Sequence, residues 1–159
     1  MRPMSLALIG GVLSVPAAAG TITVTLPRPA VAEYKKPYVA GWIEPASGGV
    51  LRSLFVWYDW RKGGNEPGTK WLADLRSWWR KSGRTLALPA DGITGATRGP
   101  GSYTIPLPAD LAPGNYVLNI EAARENGGRE LVSVPLSVPA DSGRNAGRTE
   151  IGLVQVAAR

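Results

Sequence analysis

Thr21 to Leu26 reads Thr-Ile-Thr-Val-Thr-Leu, hydroxyl and apolar residues in strict alternation, and Pro27 and Pro29 stop the run at once. A period of two sends every second side chain to the same face, so this stretch specifies a strand with one buried side. Comparable runs recur along the chain. Tyr38 to Glu44 is a second strand, broken by Pro45 and Ser47-Gly48-Gly49, and Val50 to Tyr58 is a third, which makes the two a hairpin. Ser102 to Leu107 is another, entered through the turn at Pro100 and Gly101. After Pro113-Gly114, Asn115 to Ala123 and Arg129 to Val138 form a hairpin across Asn126-Gly127-Gly128. With 20 Gly and 14 Pro in 159 residues, turns come too often for long helices.

One segment changes period. Between Thr69 and Lys81, Trp71, Leu72, Leu75, Trp78 and Trp79 recur at helical spacing, while Lys70, Asp74, Arg76, Ser77 and Arg80 fall mostly on the opposite face. This predicts an amphipathic helix over 69–81, after a loop from Lys62 to Gly68 and closed by Ser82-Gly83. Its tryptophans either lid an open end of the sheets or offer one indole to a flat ligand. The mixed signs of its polar face argue against a membrane-surface helix. The fold class is therefore all-β, an Ig-like antiparallel β-sandwich with one amphipathic α-helix insertion. Residues 20–139 form the sandwich, and 140–159 are a polar linker with an edge strand near Ile151 to Val156. Glu121, Arg124, Glu125, Arg129 and Glu130 alternate in sign around the second hairpin and are expected to pair with one another at the surface.

The amino terminus carries a different signal. Arg2 supplies a positive charge, Met4 to Val15 is an apolar run with small residues, and Ala17-Ala18-Ala19 offers a small-residue cleavage site before Gly20. Residues 1–19 read as a secretory signal peptide. The run is too short and too rich in glycine to suit a membrane anchor. The mature chain, beginning near Gly20, is then expected to work in the periplasm, with no transmembrane segment of its own.

What the chain lacks narrows its chemistry. It has no Cys and no His, and both methionines, Met1 and Met4, lie in the leader. Usual haem ligands, a blue-copper set, an iron–sulfur cluster and a typical zinc site are excluded, as are Ser-His-Asp and Cys-His arrangements. No disulfide braces the fold. A redox role needs an organic cofactor, and a covalent one is retained where a free one would be lost. Carboxylate pairs such as Glu121 and Glu125 leave a hydrolase open.

Asp91-Gly92-Ile93-Thr94-Gly95-Ala96-Thr97 is the stretch that spells out a chemistry. Gly92, Gly95 and Ala96 keep it slim and bendable, so that the hydroxyl of Thr94 or Thr97 can be presented to another enzyme's active site. Read without further context, it is an ordinary surface turn in which Asp91 caps its own backbone. It resembles the flavinylation motif to which periplasmic flavin transferases attach FMN. The resemblance implies that Thr97 is the acceptor, held through a phosphodiester, with FAD as donor, Mg²⁺ assisting and AMP leaving. Asp91 would then be a recognition or orienting carboxylate. Arg98 can pair with a phosphate through two parallel hydrogen bonds, or it is a solvated turn arginine.

A wider resemblance spans nearly all of the mature chain. Pro37 to Glu44, Leu54 to Tyr58, Lys70 to Trp79, Thr94 to Tyr103 and Glu121 to Glu130 look like the DUF2271 family of predicted periplasmic proteins. That family is associated with flavin transferases and with membrane PepSY-type proteins. The implied function is that of an extracytoplasmic flavoprotein with FMN on Thr97, passing electrons between a PepSY-type membrane reductase and an outside acceptor, with iron reduction or assimilation among the uses implied. It is more an electron-transfer protein than a stand-alone enzyme. Two positions depart from the pattern: Gly99 stands where a second proline is expected, and Asn126 where His is expected.

The alternative is a non-redox periplasmic β-sandwich that binds a partner protein or small ligand, with the 91–97 loop purely structural. Net charge is +6 and the pI near 10.0, yet the aromatics do not interleave with Lys and Arg along one groove, so nucleic acid is not expected. A basic surface suits an anionic membrane face or an acidic redox partner better.

Overall fold

The computed structural model describes residues 20–60, 68–139 and 142–158. The expected signal peptide at 1–19 and most of the loop from Lys62 to Gly68 lie outside the described residues. Nine strands are present among those described: β1 (Gly20–Leu26), β2 (Tyr38–Pro45), β3 (Arg52–Trp57), β4 (Thr94–Gly95), β5 (Gly101–Leu107), β6 (Gly114–Ala123), β7 (Arg129–Val138), β8 (Gly143–Ala146) and β9 (Leu153–Ala158). They make a four-stranded sheet in the order β5-β1-β9-β8 and a five-stranded sheet in the order β4-β3-β2-β6-β7. Every pairing is antiparallel except the two-residue contact of β4 with β3. The expected sandwich and both expected hairpins, β2–β3 and β6–β7, are present.

The alternation in β1 does what its period requires. Ile22, Val24 and Leu26 are buried, while the threonines between them are half-buried. They meet Val39, Ile43, Phe55 and Trp57 from β2 and β3, and Leu118, Ile120 and Ala122 from β6, in one core between the sheets. The runs in β2 and β3 are apolar without a break because both of their faces are covered. Ala40, Trp42, Val56 and Tyr58 point away from the sandwich core and pack under Leu72, Leu75 and Trp78 in a second cluster. The segment between β3 and β4 is thus a third layer on the outer face of the larger sheet.

That layer corrects the helix expected over 69–81. It consists of a 3-10 segment, Gly68–Asp74, and a short α-helix, α1 (Arg76–Lys81), with Leu75 at φ −76° and ψ 70° breaking the two apart. The reason is a missing start signal: Leu75 has no side-chain oxygen to offer the first helical N–H groups. Their partner comes from β6. The Glu121 carboxylate, completely buried, accepts the backbone N–H of Ser77 at 3.0 Å and that of Trp78 at 2.8 Å. Arg129 Nη1 adds a third donor at 3.0 Å. Trp78 is buried against the sheet, Trp79 is half-buried and Trp71 stays exposed, so the lid is built mainly from one indole.

The carboxy-terminal stretch also differs from the expectation. Residues 143–146, read as polar linker, are the edge strand β8, and the last strand β9 is internal, between β1 and β8. Of the pairing expected around the second hairpin, Glu121 with Arg129 is present, whereas Arg124 and Glu130 turn to the segment just before β9. Arg124 and Glu150 form a two-point ion pair, Nε to Oε2 at 2.9 Å and Nη2 to Oε1 at 3.1 Å, with both side chains under a tenth exposed. Glu130 accepts the backbone N–H groups of Arg148, Thr149, Glu150 and Ile151.

Candidate functional site

The 91–97 loop runs along the free edge of β3. Gly92 adopts φ +72°, and the turn it makes is clasped by backbone bonds from Ile93 and Thr94 to the Ala90 carbonyl. The Thr94 hydroxyl accepts the Ala90 N–H at 2.8 Å. Thr94 is therefore the group that clasps the turn. The loop is fixed to the sheet by Val56 N–H on the Ile93 carbonyl at 2.9 Å and Tyr58 N–H on the Gly95 carbonyl at 3.0 Å. Gly95 is pressed against Trp57, where a Cβ would come within 2.9 Å of Cδ1. Glycine at this position is a packing requirement as well as a source of slimness.

Beyond Gly95 the chain leaves the sheet, and Ala96 is exposed while Thr97 is half-buried. Thr97 lies on the wall of a cavity of about 650 Å³ at the end of the larger sheet, together with Tyr34, Lys35, Lys36, Tyr38, Trp71 and Asn126. Asp59, Asp74, Ala123, Arg124 and Glu125 complete the wall. The expected site residues divide at this point. Asp91 and Gly92 border a different hollow, beside Arg52 and Asp110. Arg98 turns the other way from Thr97, its guanidinium 4.2 Å from the Trp57 ring centroid and 5.0 Å from that of Tyr103, closing the sandwich edge between β3 and β5. The cations that share the cavity with Thr97 are Arg124, which is paired with Glu150, and Lys35 and Lys36, which sequence patterning did not single out.

The cavity is mixed in character. Lys35 pairs with Glu33 at 2.9 Å, and this hydrogen bond and charge hold its ammonium above the usual lysine value. Tyr38 donates to the Gly68 carbonyl at 3.0 Å, and burial raises its phenol. The Tyr34 hydroxyl is sealed from solvent with no hydrogen-bond partner among the described residues, and burial raises its pKa as well. Both phenols are therefore protonated at neutral pH. Asn126, where His was expected, is on the cavity wall at φ 54°, inside the β6–β7 turn. The carboxylates weighed for hydrolysis do not act as a pair: Glu121 is committed to the start of α1 and Glu125 lies at the cavity. Among the described residues no helix is long and apolar enough to cross a membrane.

A volume of this size lies within the roughly 300–1,000 Å³ usual for small-molecule sites. Its three aromatic side chains, Tyr34, Tyr38 and Trp71, fit a flat ring system, and Lys35 and Lys36 fit an anionic group on it, beside the carboxylates of Asp59, Asp74 and Glu125. The one hydroxyl carried by the slim loop into this space is that of Thr97.

Residues 19–153 match the DUF2271 family of predicted periplasmic proteins. No curated protein and no solved structure matches the chain. The chain belongs to the DUF2271 family and is a periplasmic protein.

Proposed function

We propose that this DUF2271 protein carries FMN covalently on Thr97 and transfers electrons between a PepSY-type membrane reductase and an extracytoplasmic acceptor. The observation that carries the reading is that Thr97, the last residue of the Asp-Gly-Ile-Thr-Gly-Ala-Thr stretch, lies on the wall of a cavity of about 650 Å³ together with Tyr34, Tyr38 and Trp71. In the attachment step the Thr97 hydroxyl gives up its proton to the transferase. Its oxygen bonds to the FMN-side phosphorus of FAD, and the bond to the AMP phosphate breaks, with Mg²⁺ assisting.

Bound flavin supplies one- and two-electron transfer, and the protein supplies orientation, shielding and charge. Tyr34, Tyr38 and Trp71 would hold the ring. Lys35 and Lys36 would neutralise the phosphate or the reduced ring. Asn126 puts a neutral amide on the wall at a place where an imidazole would titrate. Arg98, engaged with two aromatic rings, stabilises the loop from behind. Because the chain has no Cys and no His, an attached organic group is the redox centre it can best accommodate.

Intact mass of the protein co-expressed with a periplasmic flavin transferase tests this, for wild type and Thr97→Ala. The expected result is one FMN-phosphoryl mass on wild type and none on the variant. An unmodified wild type, in cells where a known acceptor is labelled, would leave a ligand-binding sandwich with a structural loop.

A further inference from the structure

Packing accounts for two of the three tryptophans in the outer layer. Trp78 is completely buried, and its indole N–H donates to Ser53 Oγ at 3.0 Å. Trp79 packs against the same outer cluster. Trp71 is different: 44% of it is exposed, it belongs to neither apolar cluster, and it lines the cavity that holds Thr97. An indole left at the surface forgoes the roughly 1.5–3 kcal/mol that burying a large apolar side chain provides. When such a ring also walls a cavity, an occupant is the physical reason to keep it there.

The segment that bears Trp71 is anchored to the sheet. The 3-10 segment that bears it is pinned by the buried side chains of Leu72 and Leu75, and the Tyr38 hydroxyl holds the Gly68 carbonyl at 3.0 Å. Lys70 Nζ stands 4.9 Å from the Trp71 ring centroid, and Lys70 does not line the cavity. The other aromatics there are engaged with the protein. Tyr38 meets Tyr58 edge-on at 6.2 Å, and the Tyr34 hydroxyl is turned into the protein.

We infer that Trp71 is the stacking wall of this cavity, and that a planar heterocycle tethered at Thr97 lies against its indole. The inference rests on the covalent flavin reading above and specifies which side chain orients the ring. An electron-rich indole in face contact with an electron-poor ring gains stacking energy. It also quenches that ring's fluorescence by short-range electron transfer, so the contact can be read without any partner protein.

The experiment uses the loaded protein. Wild type, Trp71→Leu, Trp71→Phe and Trp60→Leu are co-expressed with the transferase, and FMN loading is counted by intact mass. Trp60 is the control, an exposed tryptophan that does not line the cavity. Flavin fluorescence is then compared before and after denaturation. In wild type and Trp60→Leu the emission should rise several-fold on denaturation. In Trp71→Leu the folded protein should be clearly brighter than folded wild type, with Tyr34 and Tyr38 as the remaining electron donors, and Trp71→Phe should fall between, since Phe stacks but donates electrons poorly. Equal quenching in loaded wild type and loaded Trp71→Leu would overturn the stacking role and leave attachment standing. No added mass on wild type would remove the covalent reading, and this inference with it.

Discussion

The carboxylate of Glu121 accepts the backbone N–H of Trp78 at 2.8 Å, and so a strand residue closes the start of a helix whose own sequence carries no capping side chain. The same carboxylate binds Ser77 N–H and Arg129 Nη1. Glu121→Ala removes one acceptor from three donors, and the expected loss is roughly 3 kcal/mol. Glu121→Gln keeps one carbonyl oxygen and should lose about half as much. Urea unfolding of the two variants measures both, and equal losses would show that the charge matters more than the contact count.

Glu130 contributes to the acid limb of stability. Burial pushes its carboxyl up, but the four backbone donors from 148–151 together outweigh burial and hold it below the usual glutamate value. A depressed folded-state value means that unfolding takes up a proton in acid. The stabilisation is complete above the unfolded value of about 4.3 and is lost as pH falls through the lower folded one. Glu130→Gln should therefore lower the urea midpoint at neutral pH, and the gap to wild type should close as the pH falls below about 4.

Thr94 and Thr97 should separate cleanly. Thr94→Val leaves the Ala90 N–H without its 2.8 Å partner and is expected to cost about 1 kcal/mol. Thr97→Val should stay within about 0.5 kcal/mol of wild type, as substitutions at such sites usually do. Under the proposed function it also abolishes FMN loading. Thermal melts paired with intact masses read both effects on the same samples.

Gly95→Val tests the packing reason for a small residue in the loop. Even a Cβ comes within 2.9 Å of Trp57 Cδ1, and the larger branch must push the indole or peel the loop from β3. Overpacking of this kind costs about 1–3 kcal/mol. Near-ultraviolet circular dichroism should report the displaced tryptophan, and an unchanged spectrum with unchanged stability would refute the argument.

Arg124→Met should be the most damaging of these changes, at roughly 3–5 kcal/mol, because it leaves the buried Glu150 carboxylate with the Gly128 N–H at 3.1 Å and no cation. Arg124→Met combined with Glu150→Leu should recover much of that loss in denaturant unfolding, since removing both charges removes the desolvation problem.

The strands that were legible in the sequence are those whose side chains alternate or run apolar for a physical reason. β1 alternates because its sheet has one buried face, and β2 and β3 are continuous because both of theirs are covered. β8 carried no such signal. Of Gly-Arg-Asn-Ala only the glycine is even half-buried, and the strand exists because β9 and the Asn145 side chain, donating to the Ser133 carbonyl at 2.9 Å, hold it there. The break at Leu75 was hidden for a similar reason, since the capping group lies on another strand. In the candidate site, the 91–97 stretch was readable from its residue types. Lys35, Lys36 and Tyr34 were not, because they come from a connection without periodicity and meet Thr97 only through the fold. Arg98 shows the converse: its chemistry suits a phosphate, but its side chain is spent on Trp57 and Tyr103.

The parallel contact of β4 with β3 has a further consequence. It occupies the outer rim of the larger sheet, where Val56 and Tyr58 would otherwise present open N–H groups to any extended chain. A molecule nicked or lengthened within 91–97 would uncover a strand rich in aromatic and branched residues. It would then be prone to join other copies rim to rim, so the 91–97 loop doubles as a guard on that edge.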